Sequence, residues 1–313
     1  MKAVIMAGGK GTRIKSVTND EVPKNMLKVG GKTILEHQIK CLINANIDEV
    51  IIVVGYLKDY IKDYFKDGKC FNIKISYYEE KEPLGTAGSL YYLKKYIKDD
   101  FILLYGDIFL NVDLNKMITF HKKNNSDATL LVHPSSHPYD CDLLIIKDNK
   151  VVEFIYKREQ KEYINLANTG IYCFSNKVFD YVKENQNQDL EKDIISNMLS
   201  KSNVCTYETH EYLKDMGTCK RYNELLSDFE NNNIYKEKQA VIININDVVF
   251  NDVFYKKLKK LNHSKFLTIL VYDYIDENIR KKIDTTLGNN GVYFDMYCMK
   301  NKLDSLDMNF IKW

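Results

Sequence analysis

Seven cysteines occur in the 313-residue chain, an odd number, and no two are spaced C-x-x-C. That argues against a disulfide framework or a zinc site and for free thiols in a reducing cytoplasm. No run approaches eighteen apolar residues, and residues 1–7 lack the long apolar stretch of a signal peptide. A cytoplasmic protein with no membrane partner is therefore expected. An excess of one charge is missing too, since 45 Lys and Arg stand against 43 Asp and Glu. The net +2 offers no bulk case for nucleic acid or an anionic membrane, so any anion site has to be local. No Ser-His-Asp or Cys-His arrangement is visible. The six histidines are dispersed, and His133 and His137 in "HPSSHPYD" lack a third ligand. Proline is scarce at four, a compositional trait from which no function follows.

What remains is ordinary soluble material, with 45% hydrophobic and 28% charged residues. The length exceeds what one core normally supports, so one large and one small domain are expected. Strand patterns at Val4–Met6, Val50–Val54, Ile73–Tyr77 and Phe101–Tyr105 alternate with helical spacing at Ile34–Asn44 and Ala87–Ile97. That alternation predicts an α/β fold, a Rossmann-like, mixed but mostly parallel sheet with helices on both faces. From Ala128 the strands "ATLLVH", "DLLIIKD", "VVEFIY" and "ANTGIYCF" are close-set, which suggests a mixed or antiparallel part of the same sheet. Helical patterns return at Val178–Lys183 and Leu190–Leu199, then a strand at Val204–Glu208. "LKDMGTCKRYNELL" reads as strand end, turn and helix with Thr218 as N-cap. Residues 1–229 form the expected large domain, the polar run 230–239 the linker, and 240–313 a small α/β unit.

The chemistry begins at the N-terminus, "MKAVIMAGGKGTRIKSVTNDEVPKNML". A strand-like run gives way to Gly8, Gly9 and Gly11, which remove three side chains and let backbone N–H groups approach something bulky. Such a loop can cradle phosphate, and Arg13 adds a planar charged fork matched to phosphate oxygens. The glycines spell neither G-x-G-x-x-G nor the Walker pattern, so alone they fit a tight strand-to-loop turn equally well. Lys24 and Lys157 are further cationic candidates, although most lysines are merely solvated. Asp107, in "YGD", and Asp215 are the anionic ones, although each also fits a turn or a helix start. Two carboxylates at strand ends can hold a hard divalent cation such as Mg2+, with water and phosphate oxygens completing its shell. Basic groups around that cation would neutralise a transferring phosphoryl unit.

"AVIMAGGKGTRI" followed by "VPKNMLKVGGKTILEHQI" resembles the opening signature of the sugar-1-phosphate nucleotidyltransferases. "EKEPLGTAGSL", "LLYGDIF", "VVEFIYK", "NTGIYCF" and "DMGT" match later landmarks of that family in order, so the resemblance covers residues 1 to about 229. It implies transfer of a nucleotidyl group from an NTP to a sugar 1-phosphate with release of pyrophosphate, for surface polysaccharide synthesis. By position, the backbone from Ala7 through Gly8, Gly9, Gly11 and Thr12 would hold the nucleotide. Arg13 would clamp the departing pyrophosphate and Lys24 would face the reacting phosphates. Gly85 and Thr86 would line the base and sugar region, with Gly88 closing their loop. Gly106 would lie at the nucleotide beside Asp107, and Asp107 and Asp215 would bind Mg2+. Lys157 would grip the sugar phosphate, and Asn168, Thr169 and Gly170 would border the sugar.

The family's usual Glu-Lys-Pro is Tyr156-Lys157-Arg158 here, so the lysine is kept without its neighbouring carboxylate. The segment "HPYDCDLLII" with "KEYINLANTG" is most similar to the branch handling D-glycero-D-manno-heptose 1-phosphate, usually with GTP. The "LGTAG" loop is shared by guanylyl and cytidylyl members, relatives acting on a non-sugar phosphate such as phosphocholine should lack "NTGIY" and "LGTAG", and a catalytically silent regulator would tend to lose a charge first. The tail resembles a shortened phosphatase of the haloacid dehalogenase superfamily. Its Asp-x-Asp motif reads Asn244 and Asn246 in "AVIININDVV", and Tyr272 stands where a phosphate-binding Ser or Thr is expected. An inactive tail kept for packing or subunit contacts is expected, which leaves a homo-oligomer open.

Overall fold

The computed structural model describes residues 1–135, 141–156 and 166–235, and in the tail 238–244, 254–255, 258, 266–272, 283, 286, 296–299 and 311–312. Strand β1 (Lys2–Met6) shows why the molecule is layered. Ala3, Val4 and Ile5 are all fully buried. Alternate side chains of a strand point to opposite faces, so Ala3 and Ile5 join one hydrophobic cluster and Val4 another. A strand with no wet face needs cover on both sides.

After β1 come the short helix α1 (Lys15–Thr18), the ribbon β2 (Lys28–Val29) and β3 (Lys32–Thr33), and helix α2 (Ile34–Asn44). Thr33 and Glu36 close a reciprocal capping box at the start of α2. Leu35, Ile39 and Leu42 then recur at helical spacing and pack on the Ala3–Ile5 face. The order continues β4 (Glu49–Val54), α3 (Lys58–Phe65), β5 (Lys74–Glu79), α4 (Leu90–Leu93), β6 (Phe101–Tyr105), β7 (Ile108–Asn111) and α5 (Leu114–Lys123). Next are β8 (Ala128–Pro134), β9 (Leu143–Lys147), β10 (Lys150–Ile155), β11 (Leu166–Phe174), α6 (Ser196–Met198), β12 (Val204–Glu208), β13 (Tyr212–Asp215) and α7 (Cys219–Glu230).

Nine strands form one sheet in the order β5-β4-β1-β6-β11-β8-β12-β10-β9. β1 runs parallel to β4 and β6, and β4 parallel to β5. From β11 onward the sheet is largely antiparallel, with β8 and β12 the parallel exception. The mixed α/β fold is thus the expected one, and its parallel part is the N-terminal half. β7 and β13 pair antiparallel in a ribbon of their own.

Three expected helices are altered. Ala87–Ile97 contributes only α4, because the preceding turn is used for docking, with the Ala87 N–H donating to the Gln188 carbonyl at 3.0 Å. Val178–Lys183 is replaced by a 3-10 turn at Asn176–Asp180. Leu190–Leu199 begins as a π-helix, Leu190–Ile195, capped by the Asp189 carboxylate, and runs into α6. In the tail, β14 (Lys238–Asn244), β15 (Phe266–Tyr272), β16 (Met296–Met299) and β17 (Ile311–Lys312) make a separate parallel sheet in the order β16-β15-β14-β17. The run 230–239 therefore holds the end of α7, a 3-10 turn at Asn233–Tyr235 and the first residues of β14. Asn244 and Tyr272 end their strands, and Asn246 lies outside the described residues.

Candidate active site

The parallel strands β1 and β6 deliver their carboxyl ends side by side, where ligands of open α/β sheets bind. The Ala7 N–H donates to Val53 O at 2.8 Å and the Gly106 N–H to Met6 O at 3.0 Å, which locks the two turns together. A Cβ on Gly106 would lie 3.0 Å from Met6 O and 3.3 Å from the Ala7 Cβ. The glycine loop then departs from Ala7. Gly11 has φ +63°, a conformation that favours glycine, and it caps the 3-10 turn Thr12–Ile14. A Cβ there would press on the Lys24 stem at 3.3 Å, and one on Gly9 would come no nearer than 4.0 Å to Lys24 Cε. Lys24 thus lies along the loop's inner side.

Topology brings the two aspartates together from 108 residues apart. In the β7–β13 ladder Asp215 is registered with Ile108, and the Met216 N–H donates to Asp107 O at 2.9 Å. Each carboxylate carries a cation. Lys24 Nζ lies 2.5 Å from Asp107 Oδ2, and Arg221 Nη1 lies 2.6 Å from Asp215 Oδ1, which also accepts from the Gly217 N–H at 3.0 Å. Lys24 therefore contacts the expected metal ligand directly, whereas the sequence reading aimed it at phosphate. A Cβ on Gly217 would meet Asp215 Oδ1 at 2.9 Å and lie 3.4 Å from both Arg13 Nη2 and Arg221 Nη1. A side chain there would therefore crowd the Asp215 carboxylate, while the two guanidinium groups lie at ordinary contact distance. Asp107 Oδ1 and Asp215 Oδ2 accept no hydrogen bond among the described residues. A carboxylate oxygen left unpaired on each of two aspartates joined through adjacent backbone suits a hard divalent cation, with solvent and phosphate supplying the other ligands. No group of three or more metal-binding side chains gathers among the described residues.

The Gly85–Gly88 loop docks elsewhere. Gly85 has φ +77° and pairs with Gln188, and the Leu190 N–H donates to Thr86 Oγ1 at 2.7 Å. A Cβ on Gly88 would lie 2.5 Å from Leu84 O. The Asn168–Gly170 bulge sits on the "YGD" turn: Gly170 has φ +75°, and a Cβ there would strike the Tyr105 ring at 2.6 Å. Thr169 Oγ1 donates to Leu131 O at 2.7 Å, so its hydroxyl serves the backbone of β8. Asn168 Nδ2 donates to Tyr172 Oη at 2.7 Å and to Glu191 Oε1 at 3.1 Å. Lys157 lies outside the described residues.

The chain is similar over most of its length to known proteins. A sequence family described as nucleotidyl transferase matches residues 2–232. The chain belongs to that family. The mannose-1-phosphate guanylyltransferase catalytic subunit beta of Xenopus tropicalis is 30% identical over 227 residues, 71% of this chain and 62% of that one. The UTP–glucose-1-phosphate uridylyltransferase of a Synechocystis strain is 30% identical over 215 residues, 64% of this chain and 55% of that one. This chain thus spans less than two thirds of the length of these relatives. Two crystal structures of HddC from Yersinia pseudotuberculosis, one of them complexed with GMP-PN, superpose with TM-scores of 0.64 and 0.63 at 28% identity. They cover 73% of this chain and 99% of theirs.

Four residues of this nucleotidyl transferase were not read from the sequence. Arg221 faces Asp215 only because α7 turns back under it. Gln38, fully buried, donates from Nε2 to Tyr105 O and Ile108 O, both at 2.8 Å, and so brackets the turn that carries Asp107. Glu80 presses its carboxylate against Gly8 and Gly55, and burial pushes its pKa up. Glu191, 6% exposed, accepts from Tyr105 Oη at 2.9 Å and Tyr172 Oη at 2.5 Å, and burial raises its pKa to about 7. "EKEPLGTAG" held the one available signal, an acid just ahead of the loop assigned to the base.

Proposed function

We propose that this nucleotidyl transferase takes a nucleotidyl group from GTP and passes it to a mannose- or heptose-type sugar 1-phosphate, giving an NDP-sugar and pyrophosphate. The convergence of Arg13, Lys24, Asp107 and Asp215 around the glycine loop carries this reading. A sugar-phosphate oxygen attacks the α-phosphorus, the new O–P bond forms opposite the breaking bond to the β-phosphate, and the electron pair leaves with pyrophosphate. Such chemistry requires alignment and charge neutralisation rather than an acid–base pair. A divalent cation, which the family typically uses, would be held by Asp107 and Asp215 and would neutralise phosphate charge when bound; Mg2+ is the proposed ion. Arg13, whose guanidinium lies at the Gly217 turn, would hold the departing phosphates. Gly8–Thr12 leave room for the triphosphate.

Guanine is favoured by the names of the guanylyltransferase relatives and by the GMP-PN complex of HddC. Glu80 supports it chemically, since a carboxylate can accept from guanine N1–H and N2–H2 together, whereas uracil presents one N–H flanked by carbonyls. The test is pyrophosphate release by the full chain with Mg2+, across GTP, CTP, UTP, dTTP and ATP, each with mannose, heptose and glucose 1-phosphates. Turnover restricted to GTP with a mannose- or heptose-type acceptor is expected. Release with no pairing, while the nucleotides still bind, would defeat the reading.

A further inference from the structure

The ligand-free pairing of Lys24 with Asp107 has a consequence for how metal enters. Asp107 Oδ2 is already neutralised by an ammonium 2.5 Å away, and both partners are only about one fifth exposed, at 21% and 19%. A bare divalent cation approaching Asp107 meets that positive charge at close range, where solvent screens it poorly. Asp215 is likewise held, by Arg221 at 2.6 Å. The Lys24 stem lies against Gly11, with its Cβ and Cδ 3.3 Å from where a Cβ on Gly11 would be. The lysine stem therefore runs along the glycine loop while its ammonium reaches Asp107.

Resting on the reading of Asp107 as a metal ligand, we propose that Lys24 is a resident counter-ion that exchanges partners. Without nucleotide it occupies Asp107. When a metal–nucleotide complex arrives, Lys24 Nζ moves to a phosphate oxygen, Asp107 Oδ2 is released to the metal, and both anions stay neutralised throughout. Free metal brings no phosphate, so even at the unpaired Oδ1 it would face the Lys24 ammonium on Oδ2, which has no new partner to move to. The protein consequently takes its metal with the nucleotide rather than ahead of it.

The exchange is tested with Mn2+ as the probe and full-length protein, following the paramagnetic signal of unbound ion. Lys24→Gln is expected to bind free Mn2+ about tenfold more tightly than the unaltered chain and Mn2+·GTP about tenfold more weakly. Lys24→Arg, which keeps the charge, should leave free Mn2+ binding unchanged, and Asp107→Asn should weaken both. A residue with a merely structural role would weaken both affinities in the glutamine variant. Free Mn2+ binding no tighter in Lys24→Gln than in the unaltered chain overturns the exchange. Failure of the unaltered chain to take up Mn2+ with any nucleotide would instead strike at the proposed function, so the two failures are separable.

Discussion

Asp107 and Asp215 differ in their surroundings, and the difference can be measured. Asp107 is paired with a flexible lysine and Asp215 is fixed by Arg221 and the Gly217 N–H. Asn is isosteric and retains a hydrogen-bond acceptor but loses the charge. Asp107→Asn and Asp215→Asn should each lower kcat about a hundred- to a thousandfold, the scale on which preorganised electrostatic groups act, with circular dichroism unchanged. Activity within threefold of the unaltered chain would remove that aspartate from the site. Glu80 has a narrower role. If Glu80 accepts from guanine as proposed, replacing its carboxylate by an amide removes one of those acceptors, so Glu80→Gln should cut kcat/KM for GTP about ten- to a hundredfold, the worth of a charged hydrogen bond. UTP and CTP should be affected less than about threefold. An equal loss for every nucleotide would make Glu80 a packing residue.

Among the elements, β6, β11 and the π-helix Leu190–Ile195 meet at Glu191. Its three donors, Tyr105, Tyr172 and Asn168, favour the ionised carboxylate, but burial outweighs them and its pKa rises from 4.5 to about 7. Between those values the folded chain holds a proton that the unfolded chain has released. The group's stabilising contribution is therefore complete below pH 4.5 and declines until the folded group itself ionises near pH 7. Urea unfolding at pH 5 and pH 8 should show the unaltered chain losing about 2–3 kcal/mol relative to Glu191→Gln, given roughly 1.4 kcal/mol per pKa unit. Parallel pH dependence in the two proteins would mean that Glu191 is ionised throughout. This junction also marks how far the sequence could be read. The limits of α2, Ile34–Asn44, were legible because its apolar period is clean and Thr33 and Glu36 cap it. β6 and β12 were legible as apolar runs between turns. The π-helix was not, because its period mimics an α-helix, and α4 was cut short by long-range docking of Gly85–Ala87 on Gln188. The site divides in the same way. Gly8, Gly11, Asp107 and Asp215 lie in short motifs, whereas Arg221, Gln38 and Glu191 are single residues on helices whose partners are supplied only by the fold.

At the scale of the whole molecule, a nine-stranded and a four-stranded sheet share one chain with two short ribbons. The nine-stranded sheet and its flanking layers are complete before β14 begins, and α7 closes over β13 within residue 235. Among the described residues, the four tail strands pair with one another and with no strand of the nine-stranded sheet. Asn244, where the phosphatase resemblance expects a nucleophilic carboxylate, ends β14, and an amide can neither attack phosphorus nor exchange the proton. Two outcomes follow from that separation. With Mg2+, the full chain should release no inorganic phosphate from a sugar bisphosphate, and Asn244→Ala should change nothing. A chain cut after residue 235 should fold with a single unfolding transition, since its core clusters are built within the first 235 residues, and should keep kcat/KM within about threefold. If the shortened chain instead precipitates or loses turnover while the full chain is active, the tail is part of the working enzyme, and the division at 230–239 is the wrong place to separate structure from chemistry.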